Sequence, residues 1–111
     1  MSRIAVVTGG GSGLGRSISL KLAADGHRVA VVDVYAENAE KVAAEIHAAG
    51  GTAIALGVDV SDEEAVEAGF TTVRDQFGPV EILVTSAAIA GFTRFEIIHL
   101  AGPASAGVAY K

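Results

Sequence analysis

The chain has 111 residues, 50% of them hydrophobic and 19% charged, which is the balance of one globular domain rather than of a disordered segment. A formal net charge of −5 with no basic stripe leaves out the phosphate neutralisation on which nucleic-acid affinity depends, so no nucleic-acid partner is expected. There is no cysteine, which excludes disulfides and thiolate metal sites and favours a reducing, cytoplasmic setting.

The opening "MSRIAVVTGG" places one arginine and four apolar residues ahead of the glycines, too few for a signal-peptide core or a membrane span. A soluble protein with no membrane partner is therefore expected. "IAVVT", Ile4 to Thr8, is rich in branched residues and predicts a first strand running straight into glycine. From Leu14 to Asp25 the apolar residues Leu14, Ile18 and Leu22 recur every fourth position, and Gly26 stands where a helix needs a left-handed C-terminal residue. "RVAVVD", Arg28 to Asp33, is an almost unbroken apolar run closed by an acid, as in a strand covered on both faces.

A second helix over roughly Glu37 to Ala49 puts Ala39, Val42, Ala43 and Ile46 on one face, and Gly50 and Gly51 end it. "TAIALGV", Thr52 to Val58, predicts a third strand. After Asp59, Ser61 and Glu64 have capping-box spacing and open a helix with Val66, Phe70, Val73 and Phe77 on its inner face, stopped by Gly78 and Pro79. "VEILVT", Val80 to Thr85, predicts a fourth strand. The order βαβαβαβ, with right-handed crossovers, implies an α/β fold with a doubly wound parallel sheet. From Ser86 onward the pattern dissolves into small residues, with an apolar cluster at Ile97, Ile98 and Leu100 and with breakers that include Pro103. The expected division is a nucleotide-binding domain over 1–95 and a poorly specified tail over 96–111, without internal repeats.

The stretch "VVTGGGSGLGRS" holds five glycines between Gly9 and Gly15. A strand feeding a glycine turn that opens a helix is a recurring way to hold a phosphate. The helix N-terminus offers unpaired N–H groups and partial positive charge, and glycine removes the Cβ from the approach. The dinucleotide fingerprint GxGxxG is absent in every register; the spacing is TGxxxGxG, from Thr8 through Gly9 and Gly13 to Gly15. On these residues the chain resembles the short-chain dehydrogenase/reductase family, and the resemblance covers about residues 3 to 95.

The resemblance implies a Rossmann-like fold in which Gly9, Ser12, Gly13, Leu14 and Gly15 hold the pyrophosphate of NAD. It places Asp33, 18 positions after Gly15, on the adenosine ribose, and Asp59 and Val60 beside the adenine. Asp33 also has its own physical argument. A carboxylate at the tip of the second strand accepts from ribose hydroxyls and repels the 2′-phosphate of NADP, while Val34 and Tyr35 supply no compensating cation, so NAD is expected over NADP. Two bland readings stay open: Asp33 as a cap of the following helix, and Asp59 as an ordinary turn acid. "GGSGLGRS", Gly10 to Ser17, is also one substitution from a P-loop, but Arg16 stands where that loop needs the compact ammonium of lysine.

The family's NNAG or NSAG segment corresponds to Thr85, Ser86, Ala87 and Ala88, of which Ser86 and Ala87 match, and Ala87 completes the expected cofactor contacts. The resemblance implies hydride transfer between nicotinamide and an alcohol or ketone, with a tyrosine acid/base, a lysine four positions later and an orienting serine. Tyr110 and Lys111 are adjacent, and Ile97 occupies the serine's place, so no catalytic residue is assigned and the chain is expected to supply mainly the cofactor-binding half. The alternative is a non-catalytic nucleotide-binding or regulatory module. A homo-oligomer is possible on the resemblance. His27, His47 and His99 show no ligand spacing, so no metal site is expected.

Overall fold

The computed structural model describes residues 2–89 and 92–99. In chain order the elements are β1 (Ile4–Thr8), α1 (Gly13–Ala24), β2 (Arg28–Asp33), α2 (Ala36–Ala48), β3 (Thr52–Gly57), α3 (Glu63–Gln76), β4 (Ile82–Ile89) and β5 (Phe92–His99). They form one sheet in the order β3-β2-β1-β4-β5. β1 pairs in parallel with β2 and β4, and β2 pairs in parallel with β3. Because the chain builds outward from β1 to β3 and then returns to the other side of β1, the strand order reverses at β1. Crevices for ligands in such sheets open at that reversal, beyond the carboxyl ends of the strands.

The alternation of side chains along each strand divides the interior into two cores. Ala5, Val7, Val29, Val31, Ala53, Ile82 and Val84 point to the face covered by α1 and α2, where Ala39, Val42, Ala43 and Ile46 line the inner stripe of α2. Ile4, Val6, Ala30, Val32 and Val58 point to the face covered by α3. On that helix Val73 is fully buried, whereas Val66, Phe70 and Phe77 are half-buried against the sheet. Sandwiching between helices explains why β1 and β2 read as continuous apolar runs.

Two expectations need correction. The cap of α3 is Asp62, whose side chain accepts from the amides of Glu64 at 3.1 Å and Ala65 at 3.3 Å; Ser61 is turned back toward Asp59 instead. Asp62 is the residue directly before the first helical turn, so its carboxylate meets the free N–H groups and also suits the positive end of the helix. The second correction concerns the region from Ser86, read as irregular. β4 continues through Ile89, and β5 runs antiparallel to it, from Phe92 opposite Ile89 to His99 opposite Ile82. Phe92, Thr93, Phe95, Ile97 and Ile98 are strand-favouring residues, and the pairing with β4 outweighs the small residues around them. Leu100, Pro103, Tyr110 and Lys111 lie outside the described residues. Among the described residues no helix is long and apolar enough to cross a membrane.

Candidate functional site

The turn between β1 and α1 is shaped by contacts of the chain with itself. Gly9 and Gly13 have φ of 67° and 55°, the left-handed region in which glycine is favoured. A Cβ on Gly15 would overlap the carbonyl oxygen of Gly9, so the first turn of α1 lies directly on the loop. A Cβ on Gly10 would stand 2.9 Å from the Val7 carbonyl oxygen and 3.0 Å from Ser19 Oγ. A Cβ on Gly13, by contrast, would meet nothing within 4 Å. Four of the five glycines therefore divide: Gly10 and Gly15 let the loop pack on its own backbone, Gly11 fits against Asn38 and the Asp33 carboxylate, and Gly13 leaves an open approach from outside.

Ser12 is the N-cap of α1, exposed, with no capping hydrogen bond from its side chain. Arg16 N donates to Ser12 O at 3.2 Å, but among the described residues the amides of Gly13, Leu14 and Gly15 have no acceptor. Leu14 is 49% exposed beside them. Three free donors at the positive end of a helix are what an anion requires.

Asp33 closes β2 and is buried. Its Oδ2 accepts from Gly11 N at 3.1 Å and its Oδ1 from Tyr35 N at 3.0 Å. The N-cap of α2 is Tyr35, so Asp33 does not cap that helix. Beyond β3, Asp59 Oδ1 accepts from Ser61 Oγ at 2.7 Å and Ser61 N at 2.9 Å. The Ser61 hydroxyl, and after it the Ser61 amide, hold the Asp59 carboxyl below the usual range by stabilising the anion. Asp59 is thus a turn acid, and it also faces the cleft described next.

Thr8, Gly9, Asp33, Val34, Asp59, Val60 and Thr85 converge on an open cleft of about 530 Å³, floored by Val32, Val58, Val66, Phe70 and Leu83. That size falls within the range of small-molecule sites, and the apolar floor with a few polar groups at the rim is their usual composition. Among the described residues no lysine or arginine lines it. Val34 and Val60 are 59% and 63% exposed at its rim. Ala87 lies farther along β4, paired with Arg94 of β5. A flat apolar ring fits between such walls, and hydroxyls fit at the carboxylate of Asp33, so the residues present suit an adenosine group.

Arg16 points away from this cleft. Its guanidinium makes a two-pronged ion pair with Glu45 of α2, through Nε to Oε1 at 3.0 Å and through Nη2 to Oε2. The direct hydrogen bonds raise the Arg16 pKa further and hold the Glu45 carboxyl below the usual range. A group bound in this way is not the phosphate-seeking cation of a P-loop.

Sequence reasoning missed the parts of the cleft contributed by Val32, Val58, Val66, Phe70 and Leu83, whose only signal was their position on strands and on the inner stripe of α3, and it read Thr8 only as the start of the glycine motif and Val34 only as an uncharged neighbour of Asp33. Among the described residues no cluster of three or more metal-ligating side chains occurs. His27 accepts from Arg3 N through Nδ1 at 3.1 Å, and His47 Nε2 bonds the Ala53 carbonyl at 2.9 Å.

The family model described as short chain dehydrogenase matches residues 3–101. The chain is 46% identical over 92 residues to the sorbitol-6-phosphate 2-dehydrogenase of Escherichia coli K12, covering 81% of this chain and 36% of that protein. It is 38% identical over 100 residues to the 2-(R)-hydroxypropyl-CoM dehydrogenase of Xanthobacter autotrophicus, covering 89% and 40%. Among solved structures it is similar to a 7 alpha-hydroxysteroid dehydrogenase complexed with NADH and 7-oxo glycochenodeoxycholic acid. The TM-score is 0.72 at 34% identity, over 73% of this chain and 32% of that one. The chain spans 36% to 40% of the length of these curated relatives.

Proposed function

The chain belongs to the short-chain dehydrogenase family, and from that premise we propose that residues 1–95 are the NAD-binding part of an oxidoreductase acting on an alcohol or ketone. The dinucleotide, when bound, supplies the nicotinamide carbon that gives or takes the hydride. The protein supplies the seat. The free amides of Gly13, Leu14 and Gly15 face the pyrophosphate, with Gly9 and Ser12 shaping the turn that aims them. Asp33 accepts from the hydroxyls of the adenosine ribose. Asp59, Val34 and Val60 border the adenine, and Ala87 lies on the β4 side, toward the nicotinamide half.

One observation carries this reading: the glycine turn that starts at Gly9, on the rim of the cleft, leads into a helix end with three unpaired donors, and the same cleft is lined by a buried carboxylate and, among the described residues, by no lysine or arginine. A 2′-phosphate placed at Asp33 would meet a like charge without a neutralising cation, which supports NAD over NADP. The relatives named above are dehydrogenases with chemically different substrates in their names, which supports the reaction class rather than one substrate. A cysteine-free sequence supports a cytoplasmic setting.

Titration with NADH and NADPH, followed by the fluorescence of the reduced nicotinamide, tests the assignment. Tighter NADH binding is expected. Tighter NADPH binding would remove Asp33 from its role, and binding of neither would remove the dinucleotide altogether. Hydride transfer is tested by following nicotinamide absorbance with a panel of alcohols and ketones.

A further inference from the structure

Asp33 divides its hydrogen bonding between two neighbours. Its backbone carbonyl accepts from Val58 N at 3.0 Å and so continues the β2–β3 ladder. Its side chain does the equivalent on the other side. Gly10 N donates to Val32 O at 3.0 Å, and the next loop amide, Gly11 N, donates to Asp33 Oδ2 at 3.1 Å. The carboxylate therefore takes over from the main chain where the β1–β2 ladder runs out. Gly11 is also wedged between that carboxylate and α2: a Cβ there would stand 2.7 Å from Asn38 Cβ in the first turn of α2 and 2.8 Å from Asp33 Oδ2. The loop, the β2 tip and α2 meet at this one glycine.

Resting on the dinucleotide reading above for its ligand, we infer that Asp33 is also the positioning residue of the glycine turn, latching Gly11 so that the diphosphate seat holds its shape. A carboxylate offers about four acceptor sites, and the two amides use one on each oxygen, leaving the outward pair for ribose. Choice of sugar and geometry of the diphosphate seat then depend on a single side chain. Removing it to admit NADP loosens the seat at the same time.

The test uses ADP and its 2′,3′-dideoxy analogue, which has no ribose hydroxyl for Asp33 to read. Asp33→Asn and Asp33→Ala carry the same charge, and only the former keeps an acceptor for one of the two amides. Asp33→Ala is expected to bind dideoxy-ADP roughly fivefold more weakly than Asp33→Asn, the worth of one neutral hydrogen bond. Amide exchange by NMR, with no nucleotide present, is expected to be faster at Gly11 in Asp33→Ala than in Asp33→Asn. Equal dideoxy-ADP affinities with equal exchange would overturn the latch. If Asp33→Ala does not fold, Gly11→Ala serves in its place: it keeps the carboxylate but drives a methyl into both Asn38 and Asp33 Oδ2, and an unchanged dideoxy-ADP affinity would equally overturn the proposal. Failure of the wild-type chain to bind ADP, with Gly11 exchange still faster in Asp33→Ala, would leave the latch standing and end the dinucleotide reading.

Discussion

The α-carbon of Gly15 rests against the carbonyl of Gly9, six residues earlier, with no room between them for a methyl group. Gly13, two residues before Gly15, faces open space with φ of 55°. The two glycines of one motif thus answer to different demands, one to packing and one to an approach from outside.

Gly15→Ala must separate α1 from its own loop, and forced overpacking of this kind costs about 1–3 kcal/mol. Gly13→Ala has space but a disfavoured backbone, at about 1–2 kcal/mol. Both are expected to lower the midpoint of thermal unfolding. Dinucleotide affinity distinguishes them further, because in Gly13→Ala the new methyl stands in the open approach, and its loss of NADH binding should exceed what instability accounts for. Full NADH affinity in folded Gly13→Ala would show that the ligand does not come from that side.

Asp62, rather than Ser61, holds the start of α3. Asp62→Ala is expected to cost about 1 kcal/mol, the usual worth of a cap. In a domain of this size that lowers the unfolding midpoint by roughly 4–8 °C. Ser61→Ala leaves both cap bonds in place and should move the midpoint much less. Equal shifts in the two variants, measured by circular dichroism, would return the cap to Ser61.

The Asp59 carboxyl titrates below the usual range because Ser61 donates to its anion from hydroxyl and amide. A folded-state pKa below the unfolded one means that the associated stability is present above the unfolded value, about pH 4, and is lost as pH falls through the folded value. Ser61→Ala removes the larger of the two causes, so the Asp59 titration should move up toward the ordinary aspartate range. Carboxyl NMR shifts across an acid titration report this directly, and an unmoved Asp59 would mean that the amide alone sets it.

Much of this was legible in the sequence, for identifiable reasons. Strand and helix positions up to Phe77 follow from local periodicity and from Gly26, Gly50 and Gly78, whose positive φ values of 95°, 88° and 118° are what a chain reversal needs. The glycine turn was legible as a turn. Which of its glycines serve the fold was not, because the partners of Gly11 and Gly15 are Asn38, Asp33 and the Gly9 carbonyl, brought together only by folding. β5 was hidden for the same reason: its pairing with β4 is a tertiary event, and the breakers around it dilute a short strand signal. Between Ser61 and Asp62 both side chains can cap, and the backbone path chooses.

Arg16 and Glu45 are 29 residues apart and join α1 to α2 at the surface. Such exposed pairs contribute little and weaken with salt. Arg16→Ala is expected to leave NADH affinity within about twofold, since the guanidinium faces α2 and not the cleft. A P-loop would behave otherwise, losing magnesium-dependent ATP binding on removal of the cation. ATP binding that requires both magnesium and Arg16 would reverse the reading of this loop.

On the proposed reading, Val34 is a position at which cofactor choice can be altered without touching the hydrogen bond between Asp33 and Gly11. It is 59% exposed at the cleft rim, next in sequence to Asp33, and among the described residues it belongs to neither core cluster. In Val34→Arg a guanidinium stands where a 2′-phosphate would lie, and a charge-assisted, two-pronged contact is worth about tenfold or more in affinity. NADPH binding is expected to tighten by about that factor while NADH changes little, because Asp33 still receives the ribose hydroxyls and still holds Gly11. The gain should shrink as ionic strength rises, as an exposed charge contact must. An NADPH affinity indifferent to both the arginine and the salt would place the adenosine ribose elsewhere than beside Asp33.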